Sequence, residues 1–286
     1  MLKFSVIIPA YNEKGAIKET IDGLKKFLAE KYQSSDYEII VVNDGSTDKT
    51  GEILKGIGDI KLIDRKNNKG YGASIKDGVK ESKFDWILFF DADGQHDPKY
   101  IPRLIEEAEN ADMVVGKRTG YQGPSVRQPG KKILKWVAEY LTGQKIPDIN
   151  SGFRLVKKVL FNQFAHLFPN GFSISTTSTM AFLNAGLNVH YASIEINRRI
   201  GKSTVKARHA ISAMLLIFRI IMLFNPLKIF FPISFAAGLL TLLFLAWDII
   251  LFNISGTTII LFLTTIMVFC FGLLADQISS LRREIK

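Results

Sequence analysis

The chain has 286 residues, a formal net charge of +10 and one cysteine, Cys270. That length holds one large domain or two small ones, and a lone cysteine excludes an intrachain disulfide, which points to a reduced, cytosol-facing domain. Most of the lysine is scattered along helical stretches, no nucleic-acid module is recognisable and no nucleic-acid partner is expected; a denser cluster, Arg198, Arg199, Lys202, Lys206 and Arg208, precedes an apolar region and suits anionic lipid headgroups.

Lys3 is followed by only a short apolar run that Pro9 interrupts, so the N-terminus is not expected to be a signal peptide. Phe4 to Pro9 reads as a strand, Ala16 to Tyr32 as a helix with Ile17, Ile21, Leu24 and Leu28 on one stripe, and Tyr37 to Asn43 as a second strand. Asp48 to Ile57 is predicted helical, Ile60 to Asp64 a brief strand, Gly72 to Lys83 a helix and Trp86 to Asp91 a strand apolar on both faces. A helix over Ile101 to Asn110, opened by Pro98, and a strand over Asp112 to Gly116 follow. Continuous apolar strands alternating with helices imply a parallel sheet covered on both faces, so residues 1 to about 117 read as a doubly wound α/β domain. Ligands then bind beyond the carboxyl ends of the strands. Three strands end in polar tips, Tyr11-Asn12-Glu13, Asn43-Asp44-Gly45 and Asp91-Ala92-Asp93, and parallel pairing brings the tips to one edge.

Residues 118 to 207 are more mixed. Gly, Pro and basic residues between Thr119 and Lys132 predict a loop, Lys132 to Thr142 and Ser175 to Ala185 amphipathic helices, and Asn188 to Ile196 a strand. Ala207 to Phe224 carries an apolar stripe of Ile211, Leu215, Phe218 and Met222, so residues 208–228 are expected to form an interfacial helix, with a plain domain-packing helix as the alternative. Ile229 to Phe252 and Thr257 to Ala275 are each long and apolar enough to cross a hydrocarbon core, and the short link between them makes a hairpin over residues 229–286. Lys228 before the pair and Arg282, Arg283 and Lys286 after it place both flanks, and hence the domain over residues 1–207, on the cytoplasmic face of a cell membrane. Asp248 sits about one turn from the far end, where it is expected to snorkel to the interface.

Asp91-Ala92-Asp93-Gly94-Gln95 packs two carboxylates and an amide oxygen behind a buried strand, a donor set for Mg²⁺ or Mn²⁺. If the segment stays extended, alternate side chains converge; a polar strand-to-helix turn, with Asp97 capping the next helix, is an equal alternative. Asp44 sits in a turn-forming run in which Asp48 is a helix cap.

Taken in order, Pro9-Ala10-Tyr11-Asn12-Glu13, Val42 to Asp48, Asn68-Lys69-Gly70-Tyr71-Gly72 and Asp91 to Gln95 resemble the family 2 glycosyltransferases of GT-A fold, and within them the dolichol-phosphate mannose synthase and polyprenyl-phosphate glycosyltransferase branch. The resemblance covers residues 4 to about 207. It implies a mixed α/β sheet with helices on both faces. It places Pro9, Tyr11, Glu13 and Asp44 at a nucleotide, Lys69 and Gly70 near it, Asp91 on nucleotide and sugar, and Asp93 and Gln95 on the metal. Arg118, and Arg198 with Gly201 and Ser203 in an Arg-x-x-Gly-x-Ser pattern, match positions that hold an acceptor phosphate. Lys131 falls where relatives carry another phosphate-binding arginine, with Arg127 the competing residue. Asp91, Asp93, Arg118 and Arg198 are therefore the expected catalytic set. Asn150-Ser151-Gly152-Phe153-Arg154 also matches a segment of these enzymes without assigning Arg154 a role, and a structural carboxylate is its expected partner.

The reaction so implied is inverting transfer from a GDP- or UDP-sugar to a polyprenyl phosphate at the membrane. A phosphate acceptor is largely ionised near neutrality and needs no base, though Asp148 is placed to be tested as one. The rival readings are a same-fold enzyme acting on another glycolipid or polysaccharide, and a non-catalytic membrane nucleotide-binding subunit. A homo-oligomer is left open.

Overall fold

The computed structural model describes residues 2–119, 128–197 and 218–284. They fall into two compact units, Met1–Ala210 and Ile211–Lys286.

The first unit is built on seven strands: β1 (Phe4–Ala10), β2 (Tyr37–Asn43), β3 (Lys61–Asp64), β4 (Trp86–Phe89), β5 (Met113–Thr119), β6 (Arg154–Lys157) and β7 (Val189–Glu195). They form one sheet in the order β3-β2-β1-β4-β6-β5-β7. β1 pairs in parallel with β2 and β4, β2 with β3, and β5 with β7, while β6 is antiparallel to both β4 and β5. Two reversals cancel, so β4 and β5 point the same way. The carboxyl ends of six strands therefore meet the amino end of β6 along one edge.

The apolar runs explain the layering. Every residue of β1 and the last five of β2 are buried, as a sheet covered on both faces requires. The helix α1 (Ile17–Lys31) buries Ile17, Ile21, Leu24 and Leu28, the stripe read from its spacing. Each such side chain contributes about 1.5–3 kcal/mol of burial. Further helices are α2 (Thr50–Lys55), α3 (Tyr71–Glu81), α4 (Ile101–Glu106), α5 (Gln128–Thr142), α6 (Lys158–Phe164) and α7 (Ile174–Asn184). Asp97 accepts from the Lys99 N–H and opens a short 3₁₀ turn ahead of α4, as its sequence position predicts. Asp48 caps α2 in substance, its Oδ1 accepting from the Thr50 N–H at 2.9 Å and from Thr50 Oγ1 at 2.5 Å.

The sheet is mixed, as the family resemblance implies, and the antiparallel member escapes the periodicity. β6 is only four residues long with a cation at each end, and α6 follows it without a break. β4 ends at Phe89, two residues earlier than predicted, although the Phe90 N–H still donates to Ile7 O.

In the second unit, residues 218–224 are helical and precede two long helices, α8 (Leu227–Ile250) and α9 (Gly256–Glu284). Residues 208–217 of the expected interfacial helix lie outside the described residues. Ser279 Oγ donates to Leu223 O, holding the end of the short helix against α9. Both long helices are apolar enough to cross a membrane, and only 11% of each apolar window is buried. Their contact is made by small and hydroxylated side chains: Thr241 and Thr265 Oγ1 lie 3.3 Å apart, and a Cβ on Gly272 would meet Phe230. Asp248 reaches back to the turn that links α8 and α9. It is 4% exposed and accepts from Ser255 N, Ser255 Oγ and Thr258 Oγ1 at 2.8, 2.9 and 2.5 Å. A buried carboxylate needs such donors, and the turn between α8 and α9 supplies them.

Candidate active site

The sheet edge collects the predicted tips. The loop after β1 is sewn to the loop after β2: the Asn12 N–H donates to Ser46 Oγ, the Thr47 N–H to Asn12 Oδ1 and the Glu13 N–H to Thr50 Oγ1. Pro9 lies within β1 opposite Val42, and Tyr11 and Glu13 are half-buried just beyond the strand.

Asp44, 3% exposed, uses its carboxylate inside the protein. Oδ1 accepts from Arg65 Nη1 at 2.7 Å and the Lys69 N–H at 2.9 Å, and Oδ2 from the Gly70 N–H at 2.8 Å. It thus shapes the segment that presents Lys69, whose side chain is exposed. Arg65 also bonds Asp77, Ser74 Oγ and Ala73 O. Burial opposes its charge, but Asp77 and Asp44 outweigh that and raise its pKa. Sequence reasoning gave Arg65 no role. Its signal is position: it is the first residue beyond β3 on the site edge.

The acidic segment is a turn. Residues 92–94 bend with Gly94 at φ +73°, a left-handed conformation glycine adopts freely, and Asp93 Oδ1 accepts from the Gln95 N–H at 3.1 Å. Convergence by extended alternation therefore does not apply; Asp93 and Gln95 are joined through a tight turn instead. The donor chemistry fits a hard divalent cation. Asp93 is a carboxylate and Gln95 an amide oxygen, and among the described residues no cluster of three or more His, Cys, Asp or Glu side chains exists. Mg²⁺-type sites of this kind use one or two carboxylates and are completed by substrate phosphates. His96 is not part of that donor set: its Nδ1 accepts the Asp91 N–H at 3.1 Å.

Asp91 keeps about a quarter of its side chain open, 27%. Tyr71 Oη donates to its Oδ1 at 2.8 Å. Burial, and then Asp91 itself, push the Tyr71 pKa well above 10, so the phenol stays a donor. Gly152 admits the arrangement, because a Cβ there would lie 2.7 Å from Asp91 Oδ2 and 3.1 Å from Tyr71 Oη.

At the end of β5, Arg118 donates from Nε and Nη2 to Asp148 at 2.7 and 2.8 Å, and its N–H donates to the same carboxylate. Burial works against both charges, yet the pairing prevails: Arg118 is raised and Asp148 lowered. Both Asp148 oxygens are engaged by Arg118, and Oδ1 also accepts the Asn150 N–H, so the carboxylate is bound as an anchor for the arginine. The negative field of Asp91 also acts on Arg118.

Arg154, 1% exposed, has no carboxylate bonded to it among the described residues, contrary to expectation. It donates to Ser151 O, Ser175 O, Ser178 Oγ and Thr179 Oγ1, and burial pushes its pKa down to about 10. Arg127, Arg198 and Ser203 lie outside the described residues, as does the side chain of Lys131.

Residues 5–166 match the model of the glycosyl transferase family 2, more than half of the chain. The chain belongs to that family. Residues 225–281 of this family 2 chain match the GtrB C-terminal hairpin. It is 34% identical over 184 residues to a dolichol-phosphate mannosyltransferase of Pyrococcus furiosus, covering 60% of this chain and 51% of the relative. It is 29% identical over 219 residues to an undecaprenyl-phosphate 4-deoxy-4-formamido-L-arabinose transferase of Yersinia pestis, covering 74% of this chain and 65% of that one. The chain thus spans between about half and two thirds of these relatives' lengths. Among solved structures, glucosyl-3-phosphoglycerate synthase of Mycobacterium tuberculosis, crystallised with Mn²⁺, UDP and glucosyl-3-phosphoglycerate, superposes with a TM-score of 0.60 at 18% identity over 77% of this chain and 79% of that one. That likeness establishes the GT-A type of fold.

Proposed function

We propose that this chain transfers a sugar, with inversion, from a GDP- or UDP-sugar to a polyprenyl phosphate at the cytoplasmic face of a membrane. The observation that carries the reading is the position of Arg118. An oriented guanidinium stands at the same sheet edge as the Asp91–Gln95 turn, close enough to feel the Asp91 charge. A cation facing a nucleotide-sugar site suits an anionic acceptor. The names of the lipid-phosphate transferases among the relatives, and the apolar hairpin, support a lipid one.

In this reading Tyr11, Glu13 and Asp44, with Pro9 lining the strand, receive the nucleoside; Asp44 does so with the lone pairs its internal bonds leave. Lys69 meets the diphosphate. Asp91 orients the donor sugar. Arg118, Arg198 and one of Lys131 and Arg127 grip the acceptor phosphate, with Ser203 beside them. Asp93 and Gln95 would hold Mg²⁺ or Mn²⁺, which supplies positive charge against the leaving diphosphate. A phosphate oxygen is already ionised near neutrality and attacks without a base. Most of the acceleration then comes from positioning.

The test is transfer by the purified full chain with Mn²⁺, a panel of labelled GDP- and UDP-sugars, and a short polyprenyl phosphate. Label entering lipid with the phosphate but not with the free alcohol is expected. Equal labelling of the alcohol, or of a glycolipid alone, would overturn the acceptor assignment.

A further inference from the structure

Asp91 is held from three directions by groups that the proposed chemistry does not use. Tyr71 Oη bonds Oδ1 at 2.8 Å. His96, 7% exposed and packed on Phe90 and Phe153, takes the Asp91 N–H on Nδ1, which leaves the hydrogen on Nε2, 3.6 Å from Oδ2. The Gly152 backbone closes the remaining side, with room for a hydrogen but not for a methyl group. The Tyr71 ring is fixed in turn by stacking on Phe172 at 5.2 Å between centroids. A short acidic side chain with one bonded oxygen and a walled-off second one has few rotamers left, while about a quarter of it stays open.

We propose that Tyr71 is a positioning residue, whose hydroxyl fixes the rotamer of Asp91 toward the donor sugar. The proposal rests on the reading of Asp91 as a donor-sugar contact. A side chain already in its productive geometry loses no rotamer freedom when the transition state forms, so the benefit falls on turnover rather than on donor affinity. Phe in place of Tyr keeps the ring, its stacking and its burial, and removes only the hydroxyl.

The experiment compares Tyr71→Phe, Tyr71→Leu, Asp91→Asn and the double variant Tyr71→Phe/Asp91→Asn. Transfer is measured, and so is slow hydrolysis of the nucleotide-sugar without acceptor. Tyr71→Phe is expected to lower kcat about tenfold, the effect of one hydrogen bond to a charged group. Its donor KM stays within about twofold and its melting temperature is unchanged, whereas Tyr71→Leu loses melting temperature as well. On the Asp91→Asn background the Tyr71→Phe change is expected to add nothing, because both act through one contact. Independent, multiplying effects, or a fully active Tyr71→Phe beside a damaged Tyr71→Leu, would overturn the proposal and leave Tyr71 a packing residue. If the wild type hydrolyses donor but labels no polyprenyl phosphate while the hydrolysis cycle still shows coupling, the acceptor reading fails and the positioning role stands.

Discussion

Asp148 grips Arg118 through two parallel hydrogen bonds of 2.7 and 2.8 Å, so the arginine near the end of β5 is held in one orientation. A fork geometry of this kind fixes the guanidinium plane and leaves Nη1 for another anion.

Asp148→Asn should therefore damage acceptor use more than donor use. The acceptor KM is expected to rise roughly 3- to 30-fold while donor KM stays within about twofold. Steady-state kinetics with each substrate varied in turn checks this. The same pair also predicts an acid slope. Burial tends to raise the Asp148 pKa, but Arg118 outweighs it and the folded value lies below the unfolded one. The unfolded chain then takes up the proton first as pH falls, so the stabilisation is complete above about pH 4 and is lost below it. Melting curves between about pH 3 and 6 should show a shallower fall for Asp148→Asn.

Asp93→Ala is expected to lower turnover by roughly a thousandfold or more, since it removes the one carboxylate of the proposed cation site. Gln95→Ala should instead shift the Mn²⁺ concentration required, with turnover recovered at saturation. Activity titrated with Mn²⁺ after chelation distinguishes the two. Near-normal turnover of Asp93→Ala would reject the site.

Arg65 is 8% exposed and ties Asp44 to the segment that follows β3. Arg65→Met strands the Asp44 carboxylate with one donor fewer, and the expected loss is about 3–5 kcal/mol. In a domain of this size that lowers the melting temperature by roughly 6–20 °C. Donor KM should rise with it, because Asp44, which anchors the Lys69 and Gly70 N–H groups, loses its charged partner. Thermal unfolding and donor binding by calorimetry test both, and a destabilised variant with unchanged donor affinity would confine Arg65 to structure.

Asp248→Ala leaves Ser255 and Thr258 without their acceptor at the tip of the hairpin. Three lost bonds predict a destabilisation on the order of 1–3 kcal/mol in the second unit. The measurement is thermal aggregation in detergent. The kcat toward a short-chain soluble acceptor analogue should stay near wild type, since none of the lost bonds touches the sheet edge.

Residue patterns alone carry much of this protein. The apolar runs of β1, β2 and β4 announce a covered sheet because a strand buried on both faces must be apolar throughout. The α1 stripe and the two long C-terminal helices are equally legible, since burial and lipid both select side chains residue by residue. Motif order in turn nominates Asp44, Asp91, Asp93, Gln95 and Arg118 for the proposed site. What tertiary structure alone decides is who meets whom. β6 is too short to show a period, yet the segment that leads into it sets Gly152 beside Asp91 and Asp148 against Arg118. Among the described residues Arg154 finds carbonyls and hydroxyls rather than a carboxylate, and Asp248 bonds the turn of its own hairpin. Each of these contacts joins residues whose spacing has no local signature. Hydrogen bonds are short-ranged, so only the folded chain can assign their partners.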